Sequence, residues 1–301
     1  MEALRTWDSA ASELECIVKI NLHLQEYAYA TRTLLREGIA LYNAKEYGQA
    51  EDTLNRAILI LETNLPQNSE LRTQIRIYDY LGLCHIKLRK PKKALDIFLD
   101  KSHRARTAKM PTPLGDASRK VRIGIAYLDL GDHKKAKPFF VDAARLRLEI
   151  GAVTESARAL RYLGLLYFRD GNLIQAASVW DLALHIQRGF RDENEQVKLH
   201  FFRGRLFASL EKDCKINPNG NYSSGINCTI SELLFPDHTE RELLLKIEQR
   251  FRDSARVYPR NRYLNMAYFC YKQCVELANN DGLKKWVHDA DLALKNLPKS
   301  H

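Results

Sequence analysis

Residues 157–183 read ARALRYLGLLYFRDGNLIQAASVWDLA, with small side chains at Gly164, Ala176 and Ala183. Bulky ones stand at Leu160, Leu163, Tyr167 and Trp180, and Asp170-Gly171 separates the two halves. This spacing predicts two short antiparallel helices. Where they cross closely only a small side chain fits, and large ones fill the gaps between layers.

The same grid recurs upstream. Gly38, Ala50 and Ala57 stand with Leu34, Leu41 and Leu54. Gly82 and Ala94 stand with Tyr78, Leu81 and Phe98, although Lys101 occupies the last small place. Gly124, Ala136 and Ala143 stand with Ile123, Tyr127 and Phe140. Glycine and alanine are twelve residues apart in all four copies, whereas the glycines are spaced 44, 42 and 40 apart. Constant spacing within copies and variable spacing between them puts the length changes in inter-repeat loops.

Four copies in register over residues 31–190 resemble the tetratricopeptide repeat family in its longer form of about 40 residues, as in spindle-orientation adaptors and rapsyn-like scaffolds. The resemblance implies an all-α, right-handed superhelical solenoid of helical hairpins, because one hairpin cannot bury its apolar face alone. Turns are marked by Asn43-Ala44-Lys45, Arg89-Lys90-Pro91, Gly131-Asp132 and Asp170-Gly171. Pro91 suits a helix start, where a missing N–H costs nothing. Pro138 lies one turn into its helix, which predicts a late start or a bend.

Helical spacing of Trp7, Ala11, Leu14, Ile17 and Val18 makes residues 1–30 a capping helix or arm. The loops between copies are long, the longest at Lys101 to Ala117. Residues 191–301 are expected to hold a degenerate fifth repeat, a polar insertion at about 212–236 and C-terminal capping helices. Gly204 falls 40 after Gly164, but Ile216 stands twelve further on and the run NPNGNYSSGIN follows. Thr239–Val257 reads as a helix opened by a Thr239/Glu242 capping box. Two more helices, at about 262–279 and 281–297, read as a last hairpin with Ala267 in the glycine's place.

The 301 residues include 45% hydrophobic side chains, enough for a substantial core. No run of 18 apolar residues exists to span a membrane, and MEALRTWDSA lacks the apolar region of a secretory signal, so an intracellular location is expected. Six cysteines without CxxC spacing read as reduced thiols. The formal charge of +10 suits an acidic partner. There is no phosphate loop, GxGxxG, HExxH or GxSxG, so no catalytic residue, metal or cofactor is expected.

In the family resembled, first helices line a concave groove. Carried onto this chain, those positions give apolar ridges at Ile39, Leu83, Ile125 and Leu165, then at Tyr42, Ile86, Leu128 and Phe168. Beside them run Arg36, Arg76, Arg122, Arg158, Arg161, Arg169 and Arg205. An apolar stripe edged by arginines suits an acidic, amphipathic partner segment, since guanidinium pairs with carboxylate bidentately. The clamp that family members use on chaperone tails is absent: its places carry Leu35, Ile39, Asp79 and Leu83. The expected function is a non-catalytic scaffold or adaptor holding another protein's peptide or helix in this groove. The rivals are a subunit of a larger assembly, using its convex face or C-terminal helices, and an RNA-binding solenoid.

Overall fold

A computed structural model describes residues 2–67, 69–101, 112–150, 152–187, 193–216, 261–280 and 282–297. The helix expected at Thr239–Val257, nearly all of the polar insertion, Cys228 and the basic residues Arg104, Arg106 and Lys109 lie outside them. Among the described residues every regular element is helical: α1 (Glu2–His23), α2 (Tyr27–Asn43), α3 (Tyr47–Asn64), α4 (Leu71–Lys87) and α5 (Pro91–Asp96). A π-helical turn, Ile97–Lys101, prolongs α5. Then follow α6 (Pro113–Asp129), α7 (His133–Glu149), α8 (Val153–Arg169), α9 (Leu173–Gln187), α10 (Glu193–Ile216), α11 (Asn261–Asn280) and α12 (Lys284–Lys295). The chain divides into two compact units, Met1–Ala136 and Lys137–His301.

The grid is a packing device. A Cβ placed on Gly38 would fall 2.7 Å from the Leu54 side chain, and one on Gly82 would run into the Phe98 ring. In the second unit a Cβ on Gly164 would run into Trp180. Leu54, Phe98 and Trp180 are completely buried, as are Ala50, Ala57, Ala94, Ala176 and Ala183. The Trp180 indole also donates to the Arg161 carbonyl at 3.0 Å, which fixes the ring against α8.

The turns share one geometry. After α1, α2, α4, α6, α8 and α11 the second connecting residue is left-handed: Gln25, Lys45, Arg89, Gly131, Gly171 and Gly282, with φ between 58° and 78°. At the first hairpin the Lys45 N–H donates to Tyr42 and the Glu46 N–H to Leu41, the paired bonds of a Schellman cap. Three of the six left-handed places therefore hold a residue with a side chain, where glycine fits without strain.

Two local expectations change. Helix α7 runs unbroken from His133 to Glu149 with Pro138 inside it, neither starting late nor divided. Pro138 is exposed and still close to the N-terminus, so it forfeits little of the helix's hydrogen bonding. Lys101, the large residue in a small place, falls where α geometry has already given way to the π turn. The Phe98 carbonyl on that turn accepts from the buried Arg119 guanidinium at 3.3 Å, so a disturbed ladder still finds a donor.

In the first unit α1 packs on α2, burying Val18, and Glu15 receives Arg56 of α3 at 2.9 Å. In the second unit α10 packs against α9 and α11, with α12 beyond α11. Ala267 is therefore not the glycine equivalent of a last hairpin. The principal partner of α11 is α10, and Tyr271 lies where a Cβ on Gly204 would go.

Candidate interaction surface

In the first unit the first helices of successive hairpins run side by side in one direction. Arg32 in the first half of α2 is ion-paired with Glu70 just before α4, and the Tyr42 ring near the end of α2 meets Tyr80 midway along α4 edge-on at 5.6 Å. Arg122 on α6 is paired with Asp79 on α4 at 2.8 Å. Ile39, Tyr42, Leu83, Ile86 and Ile125 are all half-buried, as an apolar stripe with one open side should be. Burial, with Tyr47, Cys84 and Tyr80 close by, pushes the Tyr42 phenol up to about 12, against the opposing charge of Arg122. Arg36 and Arg76 are exposed beside the stripe.

Two expected groove residues here have inward duties. Leu128 is buried, at 3% exposure, so it belongs to the core. Arg122 spends its charge on Asp79, and its side chain is only 22% exposed. The carboxylate lies one repeat away, so the four-copy grid gave no hint of the pairing.

In the second unit α8 and α10 are the neighbouring first helices, also running in one direction. Arg161 midway along α8 is ion-paired with Glu195 near the start of α10, and the Arg205 guanidinium midway along α10 lies 5.5 Å over the Phe168 ring near the end of α8. Arg161 also lies 4.3 Å over the Tyr162 ring, and Tyr162 stacks on Phe140 with centroids 5.5 Å apart. Arg161 is buried and its partner Glu195 almost completely so. Arg161 is thus not a groove cation; it ties α8 to α10.

Two further cations act on the same carboxylate. Lys198 stands 3.4 Å from the second Glu195 oxygen, and exposed Arg158 is close enough to act on the same carboxyl. Burial alone would raise the Glu195 carboxyl, but Arg161, Lys198 and Arg158 hold it below its ordinary value. Three cations share one carboxylate. Half-buried Leu165 and Phe168 lie on the same helix as Arg158, and Arg169 is exposed at its end. Phe168 is backed by Trp180, with centroids 5.9 Å apart, and Trp180 stacks on Phe202 at 5.6 Å.

Cys270 and Cys274 are buried thiols. Burial pushes the Cys270 thiol up to about 11 and the Cys274 thiol up to about 12. Among the described residues no cluster of His, Cys, Asp and Glu suits a metal ion, and no helix is long and apolar enough to cross a membrane.

Residues 117–149, which are α7 and nearly all of α6, match the tetratricopeptide repeat family. No curated protein sequence matches the chain. Among solved structures it is similar to BtubC (BKLC) of P. vanneervenii, with a TM-score of 0.55 and 14% identity over 86% of this chain and 94% of that one. It is also similar to a Podosopora anserina chain of TPR-like repeats (TM-score 0.47, 11% identity, 75% and 97% covered). PilF of Pseudomonas aeruginosa gives a TM-score of 0.45 at 14% identity, with 90% and 93% covered. At such identities the likeness is one of fold. The chain is an all-α solenoid of tetratricopeptide-type hairpins, with a tetratricopeptide repeat at residues 117–149.

Proposed function

We propose that this chain is a non-catalytic interaction scaffold whose first-helix faces hold an acidic, amphipathic segment of another protein. Repeats of this family generally mediate protein–protein contacts. The observation that carries the reading is the convergence of Arg161, Lys198 and Arg158 on Glu195. Arg161 meets that carboxylate internally with Lys198 on its second oxygen, and exposed Arg158 stands on the same helix as the half-open Leu165 and Phe168. A partner's carboxylates pair with Arg158 at this partly desolvated edge, where Arg–carboxylate pairs are strongest. Its apolar side chains cover Leu165 and Phe168, the latter held rigid by Trp180 behind it and Arg205 above. In the first unit Arg36 and Arg76 flank Ile39, Leu83, Ile86 and Ile125 in the same manner.

The test is affinity capture from native lysate with wild type and Arg158→Glu/Arg205→Glu, each with and without nuclease. A protein retained by wild type, lost from the variant and indifferent to nuclease supports this reading. Capture that vanishes with nuclease points to nucleic acid, whose phosphates satisfy the same cations.

A second reading has its own observation. Ile17 and Ile20 on α1 and Leu24 just after it are 45–62% exposed, and Tyr268 and Phe269 on α11 are 47% and 60% exposed. Such apolar residues suit a subunit that docks through its terminal helices. Identical proteins captured by both baits would favour it.

A further inference from the structure

We infer that α10 and α11 are the two helices of a fifth repeat, and that residues 217–260 are an insertion between them whose work is separable from the fold. In the first, second and fourth hairpins the glycine of the first helix is met by the bulky residue sixteen positions later: Leu54, Phe98 and Trp180. Sixteen positions after Gly204 stands Gly220, which has no side chain to offer. Tyr271 takes the place instead: its ring lies where a Cβ on Gly204 would go.

The register around Tyr271 then follows the grid. In the first and fourth hairpins small residues stand four before and three after the bulky one, Ala50 and Ala57 about Leu54, Ala176 and Ala183 about Trp180. About Tyr271 those places hold Ala267 and Cys274, both completely buried. Arg203, next to Gly204, reaches Asp181 of α9 at 2.6 Å and the Cys270 sulfur of α11 at 3.9 Å, so it binds the hairpin to its predecessor. Through Glu195 and Arg205, α10 stands beside α8 as one first helix stands beside the next. Helix α12 packs on the same hairpin, with Trp286 edge-on to Phe201 at 5.3 Å and to Phe202 at 6.3 Å.

Described residues of α10 and α11 fill the grid places of this hairpin: Gly204, Ala267, Tyr271 and Cys274. A repeat needs only a few residues to turn between its helices, as Asp170-Gly171-Asn172 shows in the fourth hairpin. Loop-closure entropy grows slowly with length, so a long insertion at a turn is thermodynamically tolerable.

The experiment replaces residues 217–260 by a ten-residue Gly/Ser linker in the full chain, with and without Tyr271→Ala, and follows melting by circular dichroism and tryptophan emission. The expected result is a linker variant that melts cooperatively within a few degrees of wild type. Tyr271→Ala then lowers that melting temperature by on the order of 10 °C, as loss of a buried aromatic should. As a second measurement, a protease site is placed after Gly220 of the otherwise intact chain; after cutting, the two fragments should co-elute as one particle. A linker variant without a cooperative transition whose cut counterpart also falls apart would overturn the inference. So would a folded linker variant that is indifferent to Tyr271→Ala.

Discussion

Arg161 on α8 and Glu195 on α10 form a buried ion pair that joins two first helices one repeat apart. Burial disfavours both charges, yet each ion is held charged by the other, with Tyr162 and Lys198 assisting. An internal duty is thereby separated from the exposed cations nearby.

Removal of Arg161 should leave the buried Glu195 carboxylate to the more exposed Lys198 and Arg158, which replace it poorly. Arg161→Met is expected to cost about 3–5 kcal/mol of stability, whereas exposed Arg158→Met should change it by less than about 0.5 kcal/mol. The paired change Arg161→Met/Glu195→Leu should recover most of the loss, since a buried pair is readily replaced by apolar groups of similar volume. Chemical denaturation of the four proteins checks this.

The glycine places should tolerate nothing larger. Gly164→Leu forces a side chain into Trp180, and Gly82→Leu forces one into Phe98. Each is expected to destabilise its unit by at least about 3 kcal/mol, through overpacking at a close helix crossing. An unchanged melting temperature would mean that the helices do not cross there.

The turns should be improvable. Lys45 and Arg89 hold left-handed conformations that glycine holds in the third and fourth hairpins. Lys45→Gly and Arg89→Gly are each expected to stabilise by about 0.5–1 kcal/mol, and Gly171→Ala to destabilise by a similar amount. Thermal melting of the three variants measures it.

Acidification should weaken the first unit before carboxylates titrate. Burial pushes the His85 imidazole below its ordinary value of 6.5, although Glu51 lies 3.5 Å away, and Lys90 and Lys93 push the same way as burial. The unfolded chain then takes the proton first, so stability is full above about pH 6.5 and declines as pH falls below it. His85→Gln should flatten that slope in denaturation curves taken between pH 7.5 and 5.5.

Much of this was legible in the sequence. The Gly/Ala grid places the helices of the first four hairpins because steric exclusion at a helix crossing leaves a trace at a fixed spacing. Asp170-Gly171 and Gly131 announce their turns, while Lys45 and Arg89 conceal the same geometry behind ordinary side chains. Ion pairs between repeats leave no such trace. Arg122 and Arg161 stand where groove residues stand, and only the neighbouring helix reveals Asp79 and Glu195 against them. Leu128 sat one place too deep on the same pattern. Ala267 was readable as small but not as belonging to α10, because its partner glycine is Gly204, across the stretch 217–260.

The most direct measurement is the affinity of a captured acidic segment for wild type, Arg158→Glu/Arg205→Glu and the conservative Arg158→Lys/Arg205→Lys, at two salt concentrations. The predicted result is a loss of about tenfold to a hundredfold in the charge-reversed protein, a smaller loss in the lysine protein and weaker binding at high salt throughout. Equal affinity in all three proteins would contradict binding on the α8–α10 face and turn attention to α1 and α11.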